Sequence, residues 1–324
     1  MKTHYTIPIF IPEKACPFRC IYCNQYNITN HHQIIDLEEI NSTIQQYLRT
    51  FPQDGMKRIA FFGGTFTGMS LEEQNYYLDA VQPYLQSGKI ESIQLSTRPD
   101  YINEPILENL KKHGVRIIEL GAQSLDEEVL QFSGRGHTVK DVEKASQLIN
   151  SYGFTLGLQM MVGLPFDTIE KTKKTARQIV DFGAKCTRIY PTLVIKDTFL
   201  EKLYKNGHYQ PLTIEQAIDY SIAAMEIFEA GQVTVLRVGL HPSEGLINGT
   251  QLVAGPFHVS FKELVMTEQW HRRFLPFLQP SDCSEIAIAV PHEQLNAAIG
   301  YEARNKKELL QYYNKVEFFT DDIE

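Results

Sequence analysis

The chain of 324 residues has no apolar run near the roughly 18 residues that a membrane-spanning helix requires. Its first residues lead directly into a short apolar strand at 7–11, without the long apolar region and cleavage site of a signal peptide. Positive charge is not in excess either, because 31 Lys and Arg stand against 39 Asp and Glu, a net charge of −8. We therefore expect no membrane partner and no nucleic-acid binding by bulk charge, although a local basic groove remains compatible with this composition.

Cysteine is scarce, with five residues in the whole chain. A secreted disulfide scaffold would be shorter and richer in cysteine, and it would not leave an odd residue over. Apolar residues make up 43% and charged residues 22%, which is ordinary for a globular protein and excludes disorder. We predict a cytoplasmic protein, in which clustered cysteines usually bind metal.

Strand-like runs alternate with helix-like stretches along most of the chain. The predicted strands are 5–12, 58–62, 92–96, 116–120, 155–162 and 187–194, and the clearest helices are 71–85, 138–152 and 169–182. This alternation predicts a parallel sheet in an α/β fold. Six such units indicate a partial (β/α)6 TIM-like barrel, with ligand chemistry at the C-terminal ends of the strands.

The domain boundaries follow from this pattern. Residues 1–245, which include a further strand at 233–240, are predicted to form the partial barrel, and residues 246–280 a connecting helical segment. Residues 281–324 read as a small α+β unit with the order β-α-α-β.

The loop between the two helices of that unit is Gly300-Tyr301-Glu302-Ala303. It weakly resembles the G-x-x-G loop of the KH nucleic-acid-binding motif. Ala303 replaces the second glycine and Glu302 would repel phosphate, which Arg304, Lys306 and Lys307 would partly offset. The alternative is a structural lid on the barrel.

Three cysteines, Cys16, Cys20 and Cys23, lie in one loop directly after the first strand. Three thiolates this close can each hold one iron of a [4Fe–4S] cluster and leave the fourth iron open to chelate a small molecule. The alternative is a zinc site completed by His31 or His32. Zinc sites usually pair C-x2-C with a distant second pair, which this sequence lacks.

The C-x3-C-x2-C spacing, with Tyr22 before the last cysteine, resembles the radical S-adenosylmethionine (SAM) superfamily. The resemblance implies a [4Fe–4S] cluster on Cys16, Cys20 and Cys23 and SAM as the second cofactor. It also implies an external one-electron reductant of the flavodoxin or ferredoxin type. Reductive cleavage of SAM would give a 5′-deoxyadenosyl radical that abstracts hydrogen from a substrate.

Polar and glycine residues follow several of the predicted strands. The resemblance implies that SAM is contacted by Tyr22, Gly63, Gly64, Thr65, Ser96, Gln123, Arg135 and Gln159. Arg135 offers a planar fork suited to a carboxylate. Tyr190 and Lys196, near the end of the sixth strand, are the candidate catalytic residues on the substrate side. Polar residues at strand ends can also serve only as helix caps. The number of polar residues at positions expected to be buried is too large for that explanation alone.

Within the superfamily, residues 5–230 resemble the radical domain of the Elongator catalytic subunit, which modifies wobble uridine in tRNA. The motifs are GGTF at 63–66, TRPDY at 97–101, QS at 123–124, RGHT at 135–138 and YPTLVIK at 190–196. That family spaces its cysteines more widely, and no acetyl-CoA loop of its acetyltransferase domain is expected after Gly231.

The predicted function is radical SAM chemistry on a substrate that resemblance suggests is tRNA or another RNA. A weaker resemblance to anaerobic coproporphyrinogen dehydrogenases leaves a small anionic metabolite or a tetrapyrrole as the second hypothesis. A non-catalytic iron–sulfur adaptor is the third. The sequence leaves the oligomeric state open.

Overall fold

The computed structural model describes residues 4–11, 20–24, 35–52, 54–279 and 283–320. A seven-stranded parallel sheet dominates, in the order β1-β2-β3-β4-β5-β6-β8. The strands are β1 (His4–Ile11), β2 (Met56–Gly63), β3 (Ser92–Thr97), β4 (Val115–Gln123), β5 (Thr155–Val162), β6 (Cys186–Pro191), β7 (Val194–Ile195), β8 (Thr234–Val238), β9 (Leu252–Ala254), β10 (Glu285–Val290) and β11 (Lys315–Thr320). Strands β1 and β8 end the sheet without pairing to each other, so the barrel formed by the described strands is open.

Helices connect the strands and cover one face of the sheet. They are α1 (Leu37–Thr50), α2 (Leu71–Gln86), α3 (Glu104–Lys112), α4 (Glu127–Phe132), α5 (Val139–Ser151), α6 (Ile169–Asp181), α7 (Phe199–Lys205), α8 (Ile214–Ala230), α9 (Glu244–Ile247), α10 (Phe261–Phe274), α11 (Leu295–Ile299) and α12 (Arg304–Leu309). Side-chain caps start many of them, and Ser70, Thr138 and Thr213 form full capping boxes at α2, α5 and α8. None of the helices in the described part of the chain is long and apolar enough to cross a membrane.

Successive side chains along each strand point alternately to the core face, which the helices cover, and to a concave polar face. On β4, Leu120 and Ala122 belong to the main hydrophobic core, whereas Glu119, Gly121 and Gln123 take the opposite face. The same period of two places polar residues on the concave face of the neighbouring strands. The alternating sequence pattern therefore produces a barrel whose interior is polar near the C-terminal ends of the strands.

The predicted α/β partial barrel is confirmed, and the strand expected at 233–240 joins its sheet as β8 beside β6. The sixth strand, however, ends at Pro191 rather than at residue 194. There the chain turns, and Thr192 N donates to Val162 O at 2.9 Å. Val194 and Ile195 then pair antiparallel with β9 outside the main sheet, which periodicity within a single segment does not reveal.

The C-terminal unit has the predicted order β-α-α-β, with β10 and β11 paired in parallel. It shares a second hydrophobic cluster with α10, made of Trp270, Phe274, Val290, Ala298, Leu309, Tyr313 and Val316. In the inter-helical loop, Glu302 and Ala303 adopt left-handed φ values of 52° and 60°. Arg304 lies 3.2 Å from the carboxylate of Glu268, so this predicted phosphate contact already has an acidic partner. The KH-like role stays a prediction.

Candidate active site

The described part of the cysteine loop, residues 20–24, is fastened from two sides. Cys20 is buried and Cys23 is half-buried, and Cys23 N donates to Cys20 O at 3.0 Å. Between them, Ile21 N donates to Ser133 O at 3.2 Å and Ile21 O accepts from Leu200 N at 2.8 Å. The loop is therefore anchored both to the segment after β4 and to the start of α7. Cys16, the first predicted iron ligand, lies outside the described residues.

Arg135 is buried next to this loop. Its Nη1 lies 3.3 Å from Cys20 Sγ and 3.5 Å from Tyr22 Oη, and its Nη2 donates to Gly121 O at 2.6 Å. Arg98 Nη2 in turn donates to Arg135 O at 2.6 Å and fixes the backbone there. Burial raises the pKa of Tyr22 well above its ordinary value, although Arg135 opposes this, so Tyr22 is a neutral phenol.

One donor of this guanidinium is not used by the protein: Arg135 Nε is buried and has no hydrogen-bond partner among the described residues. An unpaired buried donor is costly, so such a group is a natural contact for a ligand. A cation beside thiols could also stabilise them as thiolates, the form that binds metal.

Gly121 makes the approach of two predicted site residues possible. A Cβ atom at this position would lie 2.8 Å from Gln123 Nε2 and 3.4 Å from Arg135 Nη2. Gln123 itself has a left-handed φ of 65°, which turns the chain at the end of β4. Gln123 and Arg135 therefore converge over a glycine at the mouth of the barrel.

A second polar group lies deeper on the concave face and is centred on the fully buried Glu119. Arg188 donates to this carboxylate through Nε at 2.6 Å and Nη2 at 3.0 Å. Gln159 Nε2 donates to it at 3.1 Å and to Ser96 Oγ at 3.0 Å, and Gln94 Nε2 also donates to it. Four donors thus saturate the lone pairs of one carboxylate.

This arrangement determines how the Gln159 amide is turned. A carboxylate only accepts hydrogen bonds, so the amide must direct Nε2 towards Glu119. Both hydrogens of that nitrogen are then used by Glu119 and Ser96. Oε1 is left as the acceptor that this side chain can offer to a ligand.

The two polar groups are neighbours because Gln159 pairs in register with Gly121, whose carbonyl accepts from Arg135. Of the predicted cofactor contacts, the structure brings Ser96 next to Gln159, and Arg135 next to Tyr22 and Gln123. Glu119, Arg188 and Gln94 were not predicted as site residues. The sequence feature that could have indicated them is a polar residue at every second position of an otherwise apolar strand.

The end of β2 requires glycine. Gly63 has φ +113°, and a Cβ atom there would lie 2.3 Å from Ile11 O at the end of the adjacent strand β1. Gly64 and Thr65 follow and are buried. The end of β2 thus lies against the end of β1, and at Gly63 no side chain stands between the two backbones.

The two predicted catalytic residues lie apart. Tyr190 is on the concave face of β6, two residues after Arg188, and burial raises its pKa while Arg188 opposes the shift. Lys196 is exposed in the turn after β7, and its carbonyl accepts from Asn24 Nδ2 at 3.2 Å. Tyr190 therefore faces the barrel interior, whereas Lys196 lies beside the cysteine loop.

Comparison with known proteins identifies the family. The Radical SAM superfamily profile matches residues 11–179 and the Radical SAM C-terminal domain profile matches residues 184–273. The chain belongs to the radical SAM superfamily and is an enzyme of that type. This family implies a [4Fe–4S] cluster and SAM as cofactors.

The predicted resemblance to the Elongator subunit is also confirmed. The chain is 34% identical to a Methanocaldococcus jannaschii tRNA uridine(34) acetyltransferase over 182 residues, 50% of this chain and 34% of that protein. It is 26% identical to Elongator complex protein 3 of Dictyostelium discoideum over 239 residues, 62% of this chain and 43% of that protein. The structure of the archaeal Methanocaldococcus infernus Elp3 with an N-terminal deletion superposes with a TM-score of 0.68 at 25% identity, covering 85% of this chain and 64% of that one. The chain thus spans between about a third and two thirds of these relatives.

Proposed function

We propose that this enzyme holds a [4Fe–4S] cluster through Cys16, Cys20 and Cys23, binds SAM beside it, and directs the resulting radical at tRNA. The observation that carries the proposal is the buried guanidinium of Arg135, 3.3 Å from Cys20 Sγ, with an Nε donor that no described residue accepts from. The donor set also fits the cofactors, because soft thiols suit iron–sulfur clusters and a guanidinium fork suits a carboxylate.

In this proposal the remaining residues orient SAM. Arg135 binds its carboxylate, and the backbone at Gly63 and Gly64 approaches its amino group. Gln159 Oε1 and Ser96 Oγ face donors on the ribose or adenine, since Glu119 has turned both Nε2 hydrogens of Gln159 away. When bound, the cluster supplies the electron that cleaves SAM and yields the 5′-deoxyadenosyl radical.

The substrate part of the proposal depends on relatives. Two proteins that match this chain are named for uridine 34 of tRNA or for the Elongator complex. The net charge of −8 means that RNA would be held by local cations rather than by overall attraction. Tyr190, on the concave face, and Lys196, beside the loop, are the proposed substrate-side groups.

The test of cofactor binding compares Arg135→Ala and Gln159→Ala with the exposed control variants Arg116→Ala and Gln147→Ala. We expect both site variants to weaken SAM binding roughly tenfold or more, since each removes a hydrogen bond to a charged or buried group. The iron content of anaerobically reconstituted protein should stay unchanged in all four. Loss of iron from both site variants would contradict the placement of these residues.

The test of the substrate measures 5′-deoxyadenosine formed from SAM with dithionite as reductant. A tRNA transcript with uridine at the wobble position should stimulate it, and the same transcript with cytidine there should not. SAM cleavage that ignores both transcripts would favour the small-metabolite hypothesis. A full cluster with no cleavage at all would favour the adaptor.

A further inference from the structure

Exposed phenylalanines are concentrated around the cysteine loop. In the described ranges five phenylalanines are exposed, and three of them, Phe132, Phe166 and Phe199, lie near this loop. They are 50%, 53% and 56% exposed, respectively. Scattered apolar residues are normal on a surface, but a cluster of large rings at a functional loop marks an interaction site.

The link between the rings and the loop is direct. Ile21 donates its N–H to Ser133 and accepts from the N–H of Leu200. Phe132 and Phe199 are the residues immediately before these two partners. Each of the two backbone hydrogen bonds of Ile21 therefore joins the loop to a residue that directly follows an exposed phenylalanine in sequence.

Phe166 enlarges the surface by packing on Phe132, with ring centroids 4.0 Å apart and planes tilted by 33°. Its backbone has a left-handed φ of 65°, an unfavourable conformation for a bulky residue. Lys171 Nζ donates to Phe166 O at 3.0 Å, and Asp167 Oδ2 accepts from Gly163 N at 2.8 Å. These contacts hold a strained turn in which the ring of Phe166 packs on Phe132 and stays 53% exposed.

The charges next to Phe199 are predominantly positive. Residues 196–205 contain three lysines and two acidic residues, in a chain of net charge −8. The side chain of Lys205 is 63% exposed, whereas that of its partner Glu201 is only 12% exposed. Lys202 is exposed on the solvent side of α7, opposite the buried Leu200.

We propose that Phe132, Phe166 and Phe199, together with Lys202 and Lys205, form the docking surface for an acidic one-electron donor protein of the flavodoxin or ferredoxin type. This rests on the proposed function, because the donor is oxidised by one electron and the loop-bound cluster is reduced by one. The exposed lysines lie on the Phe199 side of this surface, whereas Glu128 and Glu170 are exposed on the Phe132 and Phe166 side, so the acidic partner is steered to the Phe199 side. The surface is centred on the cysteine loop and not on the concave face, which favours a donor over a substrate.

The experiment uses the full chain with its reconstituted cluster and SAM. The variants are Phe199→Ser, Lys202→Glu and Phe166→Gly, the last of which removes the ring and suits the left-handed backbone. Phe277→Ser and Lys89→Glu are matched controls. Phe277 is 46% exposed after α10, and Lys89 is exposed in the turn before β3, at the opposite end of the strands from the loop. Three quantities are measured: the Kd of a purified flavodoxin, the Kd of a tRNA transcript, and the rate of 5′-deoxyadenosine formation with reduced flavodoxin or with dithionite.

We expect each aromatic variant to raise the flavodoxin Kd and the flavodoxin concentration for half-maximal rate roughly tenfold. Lys202→Glu should raise both at low salt and have less effect at high salt. Rates with dithionite should not change, because a small reductant needs no docking surface, and the control variants should behave like the parent.

Three results would overturn the proposal. Unchanged flavodoxin dependence in all variants would exclude the surface as a donor site, and a selective loss of tRNA affinity would make it an RNA-binding surface. An equal fall of the flavodoxin and dithionite rates would assign the rings to the active site instead. Absence of SAM cleavage by the parent with dithionite is a different failure, because it removes the proposed function itself.

Discussion

Replacing Glu119 with glutamine tests the buried polar group most directly. The carboxylate is fully buried and receives two hydrogen bonds from Arg188, one from Gln159 and one from Gln94. Glutamine keeps the shape of the side chain, but it removes the negative charge and turns one acceptor atom into a donor. Arg188 then remains a cation whose side chain is only 13% exposed, without its counter-charge.

The loss of stability in Glu119→Gln is determined by the buried Arg188 cation that remains without a counter-charge. Removing one partner of a buried ion pair costs about 3–5 kcal/mol, because the other charge stays buried and unpaired. The new amide also places its own N–H groups against donors that previously had an acceptor, which adds to the loss. We therefore expect Glu119→Gln to lower the free energy of unfolding by about 3–5 kcal/mol, within the range for loss of a buried charge partner.

The measurement is guanidinium unfolding followed by circular dichroism, with Asp219→Asn as the control. Asp219 pairs with Arg272 at the surface, where both side chains are well exposed, so its loss should cost less than about 1 kcal/mol. The double variant Glu119→Gln, Arg188→Met should be more stable than the sum of the single effects predicts, since it leaves no orphaned cation. A cost for Glu119→Gln equal to that of the control would refute the reasoning.

Three further changes have expected outcomes. Gly63→Ala should destabilise the protein by at least about 1–3 kcal/mol in guanidinium unfolding, because φ is +113° and the new Cβ would meet Ile11 O; a neutral effect would contradict this. Burial raises the pKa of Asp167 to about 6, so the folded state favours the protonated carboxyl. The contribution of Asp167 to the free energy of unfolding is therefore complete below pH 4 and is lost as pH rises through 6. Asp167→Asn should therefore gain up to about 3 kcal/mol relative to the parent between pH 4 and 7.5, and a pH-independent difference would exclude that assignment. Cys20→Ala should abolish the roughly four irons per chain found after anaerobic reconstitution, whereas Cys186→Ala should not; iron retained without Cys20 would rule it out as a ligand.

The sequence predicted the barrel and the approximate position of its strands because both depend on local signals. Alternating elements specify a parallel sheet, and glycine or polar residues after an apolar run mark the strand end. Ser96 and Gln123 lie at such strand ends and Gln159 lies within β5, and the resemblance to the radical SAM superfamily named all three as cofactor contacts. The bond between Ser96 and Gln159, 63 residues apart, could not be read from the sequence, since it depends on strand order and register.

Arg188 shows why the deeper group was missed. It is 69 residues from Glu119 in sequence, and nothing in its own strand indicates a partner. An arginine flanked by Thr187 and Ile189 reads locally as one exposed position in a half-buried strand. The register and curvature of the open sheet bring it over Glu119, with its guanidinium carbon 4.9 Å from the ring centre of Phe62.

The Glu119–Arg188 pair is weak evidence for stability, because well-packed apolar residues of similar volume often serve a core as well or better. Its surroundings point to another role. A Cβ atom on Gly157 would lie 2.8 Å from Glu119 Cγ and 3.0 Å from Cys186 Sγ. The glycine at this position of β5 therefore leaves the space that the Glu119 side chain occupies. The carboxylate fixes the orientation of the Gln159 amide, so that Oε1 is the atom that faces the barrel interior. An apolar pair could keep the barrel folded but would leave that amide free to present either end. The buried charges are thus better explained by the orientation of Gln159, a proposed cofactor contact, than by the stability of the sheet.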